Sequence, residues 1–525
     1  MIRNSSILVI VLIGILSVSV GIGHSGQQAP GEQAKSSRND SADLIELLQQ
    51  KGVITEQEAV SLKQRTKEPI GNDPSKGSQP VSPSDNDQMV DQVAEKIQAQ
   101  VSEKVKNQIK SEMTESDENW LEKIHVSVPE WTRRLRWNGD VRLRYEGIFF
   151  NPDNAIDSDP SDPSTILNTT NDRNRFRYRA RLGLMAEVTN QVDAGFRLTT
   201  GNTGDPVSTN ETVGDYFNKD SIVLDQAYIK IQPVPSLPET NLWGGRMPNP
   251  FFATDLVWDG DVQFEGLAMT VDFYATNWFR PFITGGWFPI QEEEWHKNKY
   301  MSAGQLGFEV KPRMDLILTV GAAYYDFQHI QGIANDPENP NWYDYTAPQF
   351  YQKGNTYFSI TPEYDDLSEV KMALAGEYRL INITGQFDIA LFHPVHIILM
   401  GDYVENIAFD WGEIAEYWND PDYANEKEEN VGWDVGIAVG HPSVRNFSEW
   451  NVAFHYRYLE ADAVLDAFTD SDFHLGGTNA EGWMLTTQFG LTKNTWLVAK
   501  WSTSDEIHGL PNAVDVLQVD LNAKF

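Results

Sequence analysis

The chain has 525 residues, with 41 lysines and arginines against 76 aspartates and glutamates, and it contains no cysteine. A formal charge of −35 argues against a broad phosphate-binding surface, and with it against a nucleic-acid partner. Without cysteine there is neither a disulfide framework nor a thiolate metal site.

Residues 1–25 predict a secretory signal peptide, with Arg3, an apolar run from Ile7 to Val20 and then small residues; cleavage is expected near residues 21–26. The apolar run is short of the roughly 20 residues of a spanning helix, and no later run comes closer, so any membrane crossing must be made by β-strands. Residues 42–66 read as a short helical pair. Leu44, Leu47 and Leu48 form its apolar face, Gly52 ends the first helix, and Thr55 with Glu58 makes a capping box for the second. Residues 67–86 are a Pro-, Ser- and Gly-rich linker. Residues 87–124 predict one long helix, with Val90, Ala94, Ile97, Val101, Val105, Ile109 and Met113 recurring about every 3.8 residues, wider than the 3.5 of a left-handed coiled coil. Such a seam needs a partner: a second copy in a coiled coil, the chain's own downstream domain, or the cell wall.

From residue 135 the texture changes. The stretch "DRNRFRYRARLGLM" sets arginine at 173, 175, 177, 179 and 181, with Phe176, Tyr178, Ala180, Leu182 and Leu184 between them. A period of two is that of a β-strand, so the arginines share one face and the apolar residues the other. The preceding segment behaves likewise: Trp137, Val141, Leu143 and Tyr145 fall on one face, and Asp140, Arg142, Arg144 and Glu146 on the other. Sixteen such segments are expected between residues 135 and 525. Their connections alternate strictly, long after the first segment and at 201–220, 247–263, 289–300, 328–375, 407–430, 461–481 and 505–513, short at "TNQ", "PVPSLPE", "ATN", "KPRM", "HP", "HPSVRN" and "TKN". A soluble sandwich has no reason to place every long loop at one end, whereas a transmembrane barrel does. The fold expected is therefore an all-β transmembrane barrel of about sixteen antiparallel strands after an N-terminal helical segment. The last strand, "VLQVDLNAKF", alternates to a terminal Phe525 and resembles the assembly signal of bacterial outer-membrane proteins.

Two further stretches, "GGRMPNPFFATDLVWDGDVQFEGLAMT" (244–270) and "YRYLEADAVLDAFTDSDFHLGGTNAEGW" (456–483), resemble the putative porin family of outer-membrane barrels; the N-terminal "LLQQKGVIT" is similar to a segment preceding the barrel in that family. The resemblance implies a homotrimeric general diffusion channel, inserted in outer-membrane lipid by the assembly machinery, with no cofactor. It also implies an external loop folded inward, for which 247–263 is the candidate, bringing Asp255, Asp259 and Asp261 to face the lumen wall.

A sixteen-stranded barrel is wide enough for an aqueous channel, whose wall must be polar. Arg142, Arg144, Arg175, Arg177, Arg179 and Arg181 are then expected to line that wall, against the inward carboxylates; pairing with carboxylates of adjacent strands is the plainer reading of the same residues. The segment 407–430, with eight acids and one lysine, is expected to make the mouth acidic. The acidic stretch 151–164 lacks the spacing of a calcium loop and reads as a solvated loop. His455, His474 and Ser448 fit no catalytic motif, so no enzymatic activity is expected. The alternative is a structural anchor tethering the outer membrane to the cell wall through periplasmic N-terminal helices.

Overall fold

In the computed structural model the described residues are 130–525, apart from 160–161, 234–238, 275, 363–369 and 419–426. The expected signal peptide, helical pair, linker and long helix lie outside them. Within them no helix is long and apolar enough to cross a membrane.

Sixteen long strands form a closed antiparallel barrel. They are β1 (Leu135–Phe150), β2 (Arg173–Thr189), β3 (Val192–Thr200), β4 (Ile222–Ile231), β5 (Thr240–Pro248), β6 (Gln263–Asp272), β7 (Phe279–Gln291) and β8 (Lys299–Arg313). Then follow β9 (Leu316–Gln328), β10 (Arg379–Phe392), β11 (Val395–Asn406), β12 (Val431–Gly440), β13 (Trp450–Leu459), β14 (Ala480–Thr492), β15 (Thr495–Glu506) and β16 (Ala513–Lys524). Each strand pairs with its neighbours in sequence, and β1 closes the ring on β16 from Asp140↔Lys524 to Phe150↔Val514. Closure removes the free edges that an open sheet would present.

The expected alternation of faces holds along the wall. Trp137, Val141, Leu143, Phe176, Leu182, Ile283, Leu306, Ile383, Val435 and Phe454 are exposed on the outside. Arg144, Glu146, Gln305, Asn382, Asp402, Asp434 and Asp520 are buried within. Such an outward apolar band is what a bilayer demands of strands whose inner face is polar. Segment ends differ from expectation mainly where pairing runs past the amphipathic stretch. Gln291 still pairs with Lys299, so the connection between β7 and β8 shrinks to 292–298.

One seam is uneven. β2 has 17 residues and β3 only 9. β3 pairs only from Arg181↔Thr199 downward, and the two-residue strand Glu211–Thr212 covers part of the remainder through Arg177↔Thr212. The connection 201–221 is thereby laid against the arginine face.

Three long connections, 249–262, 329–378 and 460–479, turn inward at the long-loop end. Their Phe251, Leu256, Val257, Trp258, Ile330, Leu374, Val464 and Leu465 pack with Tyr325, Phe264, Phe288 and Phe327 of the wall into the main apolar core. The core of this barrel thus lies inside its lumen.

The candidate functional site

The arginine face of β1 and β2 is a paired ion network. Arg144 meets Asp520 of β16 through Nε to Oδ1 at 2.7 Å and Nη2 to Oδ2 at 2.9 Å, and its Nη1 reaches Asp472 of loop 460–479 at 2.9 Å. Arg175 donates Nε to Glu146 at 2.5 Å, and Arg177 lies 3.8 Å from the same carboxylate. Arg179 and Arg181 share Asp140 at 2.9 and 2.8 Å. Arg142 donates to Asn210 Oδ1 at 2.5 Å and stands 3.9 Å from Asp520.

The loop 249–262 is built to enter the barrel. Pro248 and Pro250 flank Asn249 and end the β5 ladder, since proline offers no N–H. Asn249 Oδ1 then accepts the Phe251 N–H at 2.9 Å, turning the chain. Gln305 of β8, buried in the wall, clamps the Phe252 backbone, accepting its N–H at 2.9 Å and donating to its carbonyl at 2.7 Å. Thr254 donates to Asp402 of β11 at 2.5 Å. Phe251 and Trp258 set their rings edge-on to Tyr325, with centroids 5.3 and 5.4 Å away. On the return leg Asp261 lies 3.6 Å from Arg179 and 3.3 Å from Arg181, and accepts from Thr209 Oγ1 at 3.0 Å.

The other two loop acids face a different way. Asp259 accepts the Ser471 N–H at 2.9 Å and the Asp261 N–H at 2.8 Å. Burial, with Asp470 and Asp261 nearby, pushes its carboxyl up to about 8. Asp255 is raised to about 6 by burial and by Asp470, against the opposing pull of Arg457 and Lys500. Asp472 is also driven up by burial, but Arg144 and Lys500 beside it bring its carboxyl well below the usual range.

Loops 329–378 and 460–479 are stitched together. Asp462 accepts from Thr356 Oγ1 at 2.6 Å and Tyr378 OH at 2.7 Å, Asp466 accepts from Tyr357 OH at 2.7 Å, and Asn355 donates to the carbonyls of Ala461 and Val464 at 2.6 and 2.8 Å. At the level of the loops the interior is therefore two-sided: apolar packing toward β4–β11, ion pairs toward β13, β16, β1 and β2. A cavity of about 640 Å³ opens between loop and wall, lined among others by Thr199, Asp205, Arg246, Trp258, Gln263 and Phe468.

A closed barrel with an apolar exterior, a charged inner face and inward loops has the architecture of an outer-membrane channel. The sequence model of one family, described as putative porin, matches residues 38–525. The chain belongs to the putative porin family. Family and fold together indicate a porin-type channel of the bacterial outer membrane. No curated protein sequence matches it. Among solved structures it is similar to the outer membrane channel DcaP of Acinetobacter baumannii, at 11% identity over 74% of this chain and 97% of that one, with a TM-score of 0.40. It is also similar to Pseudomonas putida OprB at high pH, at 11% identity, 75% and 95% coverage and a TM-score of 0.45. For Salmonella typhi OmpF in complex with daunomycin the values are 10%, 74%, 97% and 0.40.

Of the expected residues, the porin brings Arg179, Arg181 and Asp261 together, and leaves Asp255 and Asp259 facing Asp470 of loop 460–479. Asp140 and Glu146 alternate with Arg142 and Arg144 on one strand face, so their pairing was legible as the plainer reading. Asp472, Asp520 and Asn210 had no local signal, because each arrives from a distant segment. Phe525 hydrogen-bonds Gly139 in both directions at 3.0 Å and lays its ring over it. His455, His474 and Ser448 are not assembled. His455 Nδ1 pairs with Asp434 at 2.9 Å in the wall, His474 lies buried 2.9 Å from Ser504 Oγ, and Ser448 sits in the turn after β12.

Proposed function

We propose that this porin is a passive diffusion channel for ions and small hydrophilic solutes, with its narrow zone beside the junction of the arginine face of β1–β2 with the inward loop 249–262. The carrying observation is the ion pairing of Asp261 with Arg179 and Arg181, which pins the return leg of the loop to the charged wall. Such fixed charges select permeants by charge and dipole. Six guanidiniums face five carboxylates there, namely Asp140, Glu146, Asp261, Asp472 and Asp520. Near balance predicts weak ion selectivity, biased by the acidic mouth at 407–430 toward cations.

In this reading the short turns face the periplasm, together with the N-terminal segment, and the chain assembles as a homotrimer. Gly285, between the exposed Ile283 and Trp287, pairs with Gly304 and gives a low patch on the outer wall against which a second copy can pack closely. Cross-linking in native membranes tests the trimer.

The deciding experiment is single-channel recording of the purified protein in a planar bilayer under a KCl gradient. Stepwise conductance with a small reversal potential of cation-selective sign is the expected result. A folded barrel that conducts nothing at any voltage removes the proposal.

A further inference from the structure

At the short-turn end, His393 and Pro394 alone connect β10 to β11. His393 Nδ1 lies 3.3 Å from His396 Nε2, with the ring centroids 5.6 Å apart and the planes at 61°. His396 Nδ1 in turn lies 2.7 Å from Asp388 Oδ1 on the neighbouring strand. A carboxylate accepts only, so the neutral form of His396 gives Nδ1–H to Asp388 and keeps a lone pair on Nε2, on the side of His393.

We propose that His393 and His396 form a two-histidine site for a divalent transition metal of the zinc class, with Asp388 as its outer carboxylate. Two Zn–N bonds of about 2.0–2.1 Å at a tetrahedral angle set their nitrogens about 3.3–3.4 Å apart. The observed separation already matches that span, so an ion beside the two nitrogens requires a rotation of the rings that turns both lone pairs toward it, without a change in their spacing. The carboxylate on the far nitrogen of His396 is the outer arrangement that fixes the tautomer of a ligating histidine and raises its basicity. His393 is at the surface, which gives the ion an entry path. Among the described residues no group of three or more His, Cys, Asp or Glu side chains converges in this way. The remaining coordination positions therefore fall to water or to a donor from a partner. Without metal, the same two nitrogens share one hydrogen. Binding moves the His393 hydrogen to its other nitrogen, and no net proton leaves the neutral pair.

The test is titration of the full-length, untagged, detergent-solubilised protein with Zn(II) alone, in competition with a chromophoric chelator. One site per chain is expected, lost in His393→Ala and weakened about 10- to 100-fold in Asp388→Asn, the usual effect of removing an outer partner. The site should empty as the solution is acidified, because a ligating imidazole nitrogen must be unprotonated. Heat-modifiable migration on a gel verifies that each variant is folded. His393→Ala, at an exposed turn position, decides the matter even if changes at His396 prevent folding. A zinc isotherm unchanged by His393→Ala, a site insensitive to Asp388→Asn, or no stoichiometric site in the folded parent each overturns the proposal.

Discussion

Arg144 holds Asp520 by two parallel hydrogen bonds, Nε to Oδ1 at 2.7 Å and Nη2 to Oδ2 at 2.9 Å, across the seam where the last strand meets the first. Both side chains are buried, at 4% and 7% exposure. Removing one partner strands a charge inside the barrel, which costs about 3–5 kcal/mol. Arg144→Met should lower the unfolding midpoint in denaturant accordingly, and Arg144→Met with Asp520→Leu should recover only part of the loss, because Asp472 also loses Arg144. If the single variant unfolds like the parent, the pair does not secure the seam.

Asp261 is the loop carboxylate that faces two guanidiniums. Asp261→Ala leaves Arg179 and Arg181 with Asp140 as their remaining carboxylate partner. A unit charge about 12 Å from a passing ion, at an effective dielectric of about 20, contributes about 1.4 kcal/mol before screening. The reversal potential should therefore move toward anions, by about threefold in permeability ratio once salt screening is included. An unchanged reversal potential would place the selectivity elsewhere.

Asp255 and Asp259 make the loop packing pH-dependent. Their carboxyls are raised from 3.8 to about 6 and about 8, by burial first and then by neighbouring carboxylates. Asp470 faces both, Asp261 lies beside Asp259, and Asp472, Arg457 and Lys500 act on Asp255. The packed loops prefer the neutral acids, so their contribution is fully present below about pH 4. It declines with rising pH, and the loss is complete once pH passes about 6 for Asp255 and about 8 for Asp259. Open probability in bilayer recordings should rise across that window, and Asp259→Asn should flatten its upper part. A pH-independent record, or one that closes toward alkaline pH, contradicts this.

Gly139 is where the terminal Phe525 lands. A Cβ there would meet the Phe525 ring at 2.5 Å and the Arg181 carbonyl at 2.7 Å. Gly139→Val should reduce the heat-modifiable folded fraction severely, because both strands flanking β1 are displaced. Phe525→Ala should cost about 1 kcal/mol of stability, since the ring stays 67% exposed and so falls well short of a core phenylalanine. Equal folded yields for Gly139→Val and the parent would show that the ring is free to move aside.

The sequence by itself determined the wall. A side-chain period of two is local, so the strands, their outward apolar face and the arginine ladder from Arg175 to Arg181 were all readable. Long and short connections are countable in the chain, which determined how many strands there are and that the long loops share one end. Only the tertiary structure decided what answers the ladder. Arg144 and Asp520 are 376 residues apart, and Arg144 and Asp472 are 328 apart. Those pairs exist because the barrel closes and the loops fold inward, a contact pattern with no local periodicity to announce it. The same reason hid the core: Trp258, Leu374 and Leu465 sit in polar connections, and burying them took three loops meeting inside one ring of strands.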